Sequence, residues 1–94
     1  MIRLNVFIQV EEKNQSELLG MVKELVELSQ AENGCIAYDV FESSTRFDVM
    51  MICETWKDNE TLIAHTQSEH YKRIMPKNHT LGQFKTEKFE FYSK

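Results

Sequence analysis

The residues best equipped for chemistry fall in two short runs. Glu54-Thr55-Trp56 places a carboxylate beside an indole, and Leu62-Ile63-Ala64-His65-Thr66 carries an imidazole in an apolar setting. On a strand, Glu54 and Trp56 share a face with Met50 and Ile52, so Glu54 is expected to be partly desolvated. Desolvation raises a carboxylate's pKa and makes it a usable acid or base. A purely structural role, accepting a hydrogen bond and fixing geometry, fits the same position. His65 is a natural proton acceptor near neutral pH, although a lone histidine on an apolar helix is more often a satisfied structural residue. His70 and Tyr71 follow Ser68. Five positions correspond to roughly 140° around a continuous helix, so His65 and His70 meet only if the helix breaks near Gln67-Ser68. Asn5 could offer an amide to a ligand or bond a neighbouring strand.

The elements that must position these groups are legible from periodicity. Ile2, Leu4, Val6, Ile8 and Val10 alternate with Arg3, Asn5, Phe7 and Gln9, which predicts a strand over 2–10. A helix is expected from Ser16 to Ala31, capped by Asn14 and ended by Asn33-Gly34. Leu18, Met21, Val22, Leu25, Val26 and Leu28 supply its apolar stripe. Strands are predicted over 35–42 and 46–56, joined by a turn at Ser43 to Arg46. The second of these is apolar on both faces, so both must be covered. Asp58 caps a short helix over 59–66, and Ser68 caps another running to about Lys77, with Pro76 near its end. A last strand runs from Phe84 to Tyr92, with Phe89 and Phe91 on one face and Tyr92 on the other. The order is β-α-β-β-α-β, a ferredoxin-like α+β fold with a four-stranded antiparallel sheet. Helices cover one face; Phe7 and other apolar side chains lie on the second, where a second copy of the chain is expected to pack.

Composition bounds the function. The chain of 94 residues reads as one domain, 1–94, with no repeat or linker. Eleven basic residues against fifteen acidic ones argue against nucleic acid, which needs clustered cations. The one basic pair, Lys72-Arg73, reads as an exposed helix face with Glu69 one turn before Arg73. No apolar run approaches a membrane span and no signal-peptide pattern opens the chain, so a cytoplasmic protein is expected. Cys35 and Cys53 sit in strand patterns and are predicted to be buried free thiols. With His79 the only further histidine and no HExxH or Cys/His spacing, no metal site is predicted. Gly20, Gly34 and Gly82 stand alone, so no phosphate-cradling loop for a nucleotide or flavin is present. No cofactor is predicted.

Three segments together carry a family resemblance: Glu32-Asn33-Gly34-Cys35-Ile36-Ala37-Tyr38, then Glu54-Thr55-Trp56-Lys57-Asp58, then Ala64-His65-Thr66-Gln67-Ser68-Glu69-His70-Tyr71. In this order and spacing they resemble the antibiotic-biosynthesis monooxygenase (ABM) domain, over nearly the whole chain. The resemblance implies a ferredoxin-like fold that pairs into a dimeric α+β barrel, and a pocket lined by residues matching Glu54, Trp56, His65 and His70. Members of that family differ in chemistry. Some oxidise polycyclic phenols or quinols with O2 and neither metal nor flavin. One branch processes a small phosphorylated signalling sugar and shares the His-x4-His-Tyr-Lys run found here from His65 to Lys72. Another degrades haem with an Asn that Asn5 could match. In that branch, however, a Trp stands where this chain has His65, and the haem-ligating His falls near Met75, which argues against haem degradation.

The expected activity is therefore a cofactor-independent monooxygenase acting on a small phenolic or quinol-like substrate and O2. His65 is the base by preference, with Glu54 orienting or sharing the proton; Asn5, Trp56, His70 and Tyr71 bind substrate. Two alternatives stand beside it. One is an isomerase-type enzyme for a phosphorylated carbonyl compound, with Lys72 or Arg73 holding the phosphate. The other is a non-catalytic ligand-binding dimer.

Overall fold

In the computed structural model, residues 1–91 are described. They form β1 (Ile2–Val10), α1 (Glu12–Gln30), β2 (Cys35–Glu42), β3 (Val49–Trp56), α2 (Asn59–Thr66), α3 (Glu69–Leu81) and β4 (Gly82–Glu90). The strands make one antiparallel sheet in the order β2-β3-β1-β4. This is the ferredoxin-like α+β arrangement that the alternation of residue types predicts.

The period of two decides what each face does. Ile2, Val6, Ile8 and Val10 of β1, with Met50, Ile52 and Trp56 of β3, point toward the helices and are buried. Leu18, Val22 and Leu25 of α1 and Ile74 and Met75 of α3 close over them. The opposite face is open. There the pairing aligns Phe41, Met51, Phe7 and Lys85 in one row, Asp39, Cys53, Asn5 and Glu87 in the next, and Ala37, Thr55, Arg3 and Phe89 in a third. Phe7, Phe41 and Phe89 remain exposed.

Several boundaries differ from expectation. Helix α1 begins at Glu12, about a turn earlier than Ser16, and Asn14 does not cap it: the N-cap position is Glu11, without a side-chain cap. The Asn14 amide instead reaches the Leu81 carbonyl, 3.4 Å away. Acidic Glu11 and Glu12 favour the positive end of the helix dipole, which supports an early start. Pro76 lies inside α3, which runs on to Leu81. Proline leaves the Lys72 carbonyl without its helical donor, but both residues are on the exposed side, where water can replace it. Strand β3 begins at Val49; Phe47, expected within it, is among the most exposed large side chains. Strand β4 starts at Gly82 and ends at Glu90, and Tyr92 lies outside the described residues. Neither cysteine is fully buried, contrary to expectation, because Cys53 sits on the open face and Cys35 at the start of β2; both are free thiols. Burial and nearby Glu32 push the Cys35 thiol up to about 11, so it stays protonated near neutrality.

Candidate active site

Two caps place the histidines. The Asp58 carboxylate accepts from the Thr61 backbone N–H at 2.9 Å, and the Thr61 hydroxyl faces back to Asp58, forming a capping box that starts α2. The Ser68 hydroxyl accepts from the Tyr71 backbone N–H and starts α3 two residues after α2 stops. This break turns the chain between His65 and His70, as their spacing requires if they are to meet. Arg73, by contrast, is engaged as its spacing suggests, with Glu69 at 2.7 Å and also with Glu24 at 3.0 Å.

The two imidazoles converge on Glu32, in the turn between α1 and β2. His65 Nδ1 lies 2.5 Å from Glu32 Oε2, and His70 Nε2 lies 3.1 Å from the same oxygen. Glu32 opens the first of the three family-like segments, but the sequence offers no sign of its role, because its partners are 33 and 38 positions away. The Gly34 bend that follows it is the nearest signal. The three residues are of types that bind transition metals, and their ligand atoms fall within 4.8 Å of one another. Ligands around a tetrahedral zinc ion, at bond lengths of about 2.0–2.1 Å, stand roughly 3.3 Å apart. At 2.5 Å, His65 and Glu32 are spaced as hydrogen-bonding partners.

His65 is almost completely buried. Its ring is surrounded by Trp56, Tyr71 and Tyr38, with centroids at 4.7, 5.1 and 5.3 Å. Its second nitrogen, Nε2, is buried and has no hydrogen-bond partner among the described residues. Burial lowers the His65 pKa, and the bond to Glu32 works against that shift. Near neutral pH the ring is therefore uncharged and able to accept a proton.

Between sheet and helices is a cavity of about 150 Å³. His65, Glu54, Tyr38 and Tyr71 line it beside Leu4, Val6, Ile52, Leu62, Met75 and Phe84, and no Lys or Arg contributes among the described residues. Burial pushes the Glu54 carboxyl up to about 7, against the opposing pull of hydrogen bonds from Trp56 and Tyr38. The Trp56 indole N–H donates to Glu54 Oε1 at 2.9 Å. Tyr38 and Tyr71 are both raised, chiefly by burial, so their hydroxyls are protonated donors.

The expected site residues thus separate. Glu54, His65 and Tyr71 share the cavity wall. Trp56 lies behind it, fully buried, holding Glu54 and packing on His65. His70 is turned to Glu32 and does not line the cavity. Asn5 is on the open face of the sheet, flanked by Cys53 and Glu87, with its side-chain oxygen buried and unpaired.

Comparison with known proteins agrees with this architecture. A protein of Bacillus subtilis (strain 168) named "Putative monooxygenase YcnE" is 31% identical over 81 residues, which span 86% of this chain and 85% of that one. A crystal structure from Bacteroides thetaiotaomicron VPI-5482, described as a conserved protein of unknown function and "Possible Oxidoreductase", is 51% identical. It superposes with a TM-score of 0.94 over 96% of each chain. A structure described as an antibiotic biosynthesis monooxygenase, 22% identical, shares the fold with a TM-score of 0.90 over 99% of this chain and 100% of that one. The sequence model of that family matches residues 1–77, a stretch that contains Glu32, Glu54, His65 and His70. The chain belongs to the antibiotic biosynthesis monooxygenase family.

Proposed function

We propose that this protein is a cofactor-independent monooxygenase for a small quinol or phenol, and that His65 is its base. The observation that carries the reading is His65 on the wall of a largely apolar cavity, its buried Nε2 unpaired among the described residues. A substrate hydroxyl placed there gives its proton to Nε2. The resulting anion is electron-rich and passes an electron to O2; recombination at a ring carbon forms a C–O bond and a peroxide. The proton on His65, or that of Glu54, which is partly protonated near neutral pH, goes to the peroxide. Cleavage of the O–O bond then releases water. The balance is quinol plus O2 giving hydroxyquinone plus water, so one oxygen atom enters the product. The protein supplies a dry, shaped space and a placed base.

The cavity favours this reading over a phosphorylated carbonyl substrate. A phosphate needs cations or a cluster of amide donors, yet among the described residues the lining holds the Glu54 carboxylate and no Lys or Arg, with only the imidazoles of His65 and His79 as groups able to carry positive charge. Lys72 is exposed and Arg73 is held by Glu24 and Glu69. The volume of about 150 Å³ suits one ring better than several.

We also infer that a second copy covers the open face. That face carries exposed Phe7, Phe41 and Phe89 with both charge signs, Asp39 and Glu87 against Arg3 and Lys85, so it can meet itself across a two-fold axis. The test of function is oxygen uptake with a panel of one-ring and polycyclic quinols, followed by ¹⁸O2 labelling. Uptake with one labelled atom in the product supports the reading. Ligand binding without turnover makes the protein a binding dimer, and isomerisation of a sugar phosphate without uptake favours the other chemistry.

A further inference from the structure

We propose that Glu32 is a positioning residue that fixes the tautomer of His65 and so reserves Nε2, in the cavity, as the proton acceptor. This rests on the reading of His65 as the cavity base. A neutral imidazole carries one proton, on one of two nitrogens. An ionised carboxylate can only accept a hydrogen bond, so the 2.5 Å contact between Glu32 Oε2 and His65 Nδ1 draws the proton to Nδ1. Nε2 is then left with a bare lone pair for which no group among the described residues competes.

The surroundings make Glu32 the group that decides. Facing the ring are Tyr38 from β2, Glu54 and Trp56 from β3, and His70 and Tyr71 from α3. Of these, Trp56 is engaged with Glu54; among the described residues, only Glu32 makes a hydrogen bond to the His65 ring. When Nε2 takes a proton, the imidazolium charge forms beside the Glu32 carboxylate and is stabilised there. His70 completes the device from outside. Its Nε2, 3.1 Å from the same oxygen, donates to Glu32 and holds the carboxylate in place at the protein's rim.

Imidazole ¹⁵N–¹H correlation NMR of the full chain reads the tautomer directly and needs no substrate. In the wild type near neutral pH, His65 is expected to show a protonated Nδ1 and a bare Nε2. In Glu32→Leu the Nδ1 preference is lost, while Glu32→Gln, whose amide oxygen can still accept, keeps part of it. Wild-type His65 protonated on Nε2 overturns the proposal, as does an unchanged Nδ1–H tautomer in a folded Glu32→Leu or, should that variant not fold, in Glu32→Gln beside a wild-type spectrum that shows no Nδ1–H bond to a carboxylate. With an oxidisable substrate, Glu32→Leu should lose on the order of 10²-fold in kcat with KM little changed. Equal loss in KM alone contradicts a positioning role. A wild type that shows the Nδ1–H tautomer yet turns over no substrate supports the tautomer device and counts against the oxidation reading alone.

Discussion

Glu54 and His65 respond to pH with opposite signs. Burial pushes the Glu54 carboxyl from 4.5 up to about 7. Between those values the folded protein holds a proton that the unfolded chain has released, so this contribution is full below the unfolded value and is lost as pH rises through about 7. The span corresponds to a contribution on the order of 3 kcal/mol. His65 is lowered by burial, so its contribution is present above the ordinary 6.5 and is lost as pH falls below it. Denaturant unfolding of wild type and Glu54→Gln across this range separates the two: the variant should gain on the wild type as pH rises, and parallel curves would contradict a buried, partly protonated Glu54. At this scale the sequence pointed to Glu54 and His65, and the two share the cavity wall, because each sits at a patterned position in a strand or helix. Glu32 was not legible as a partner, since a contact across 33 positions leaves no local trace. Nor did spacing show that Asn5 and His70 would face away from the cavity.

The turn that carries Glu32 depends on Gly34, whose φ of 83° lies in the left-handed region. A Cβ there would also overlap the Thr61 side chain, which belongs to the capping box of α2. The Gly34 carbonyl accepts from the Lys57 N–H at 2.8 Å, tying the turn to the end of β3. Gly34→Ala therefore strains the backbone and displaces the helix bearing His65. Thermal unfolding should show a loss of about 2–4 kcal/mol, and a loss below about 0.5 kcal/mol would contradict the packing. The same element-level reading anticipated the Asp58 and Ser68 caps, because a capping side chain and its target are three residues apart. The ends of α1 and α3 were less visible. No side-chain cap marks the start of α1, and Pro76 is tolerated inside α3 because it faces solvent.

At the level of the whole molecule, one sheet does two jobs: its inner face closes a cavity and its outer face presents phenylalanines. Alternation made this division readable, since Phe7 interrupts an otherwise polar row. Analytical ultracentrifugation should give twice the 11.1 kDa chain mass, and Phe7→Glu with Phe41→Glu should return it to one copy; a wild-type monomer would contradict the pairing. No helix among the described residues is long and apolar enough to cross a membrane. The cavity volume and the absence of Lys and Arg from its described lining follow from packing among β1, β2, β3, β4, α2 and α3, which no single segment of sequence displays. The claim that joins these levels is that His65 withdraws a proton inside that cavity and O2 consumes the anion. It is tested most directly by oxygen consumption of metal- and flavin-free protein on one-ring quinols, wild type beside His65→Ala. Uptake by the wild type is expected, with a loss of roughly 10²–10⁴-fold in the folded, still-paired variant. Equal uptake by both proteins, or none by the wild type across the panel, would contradict the claim.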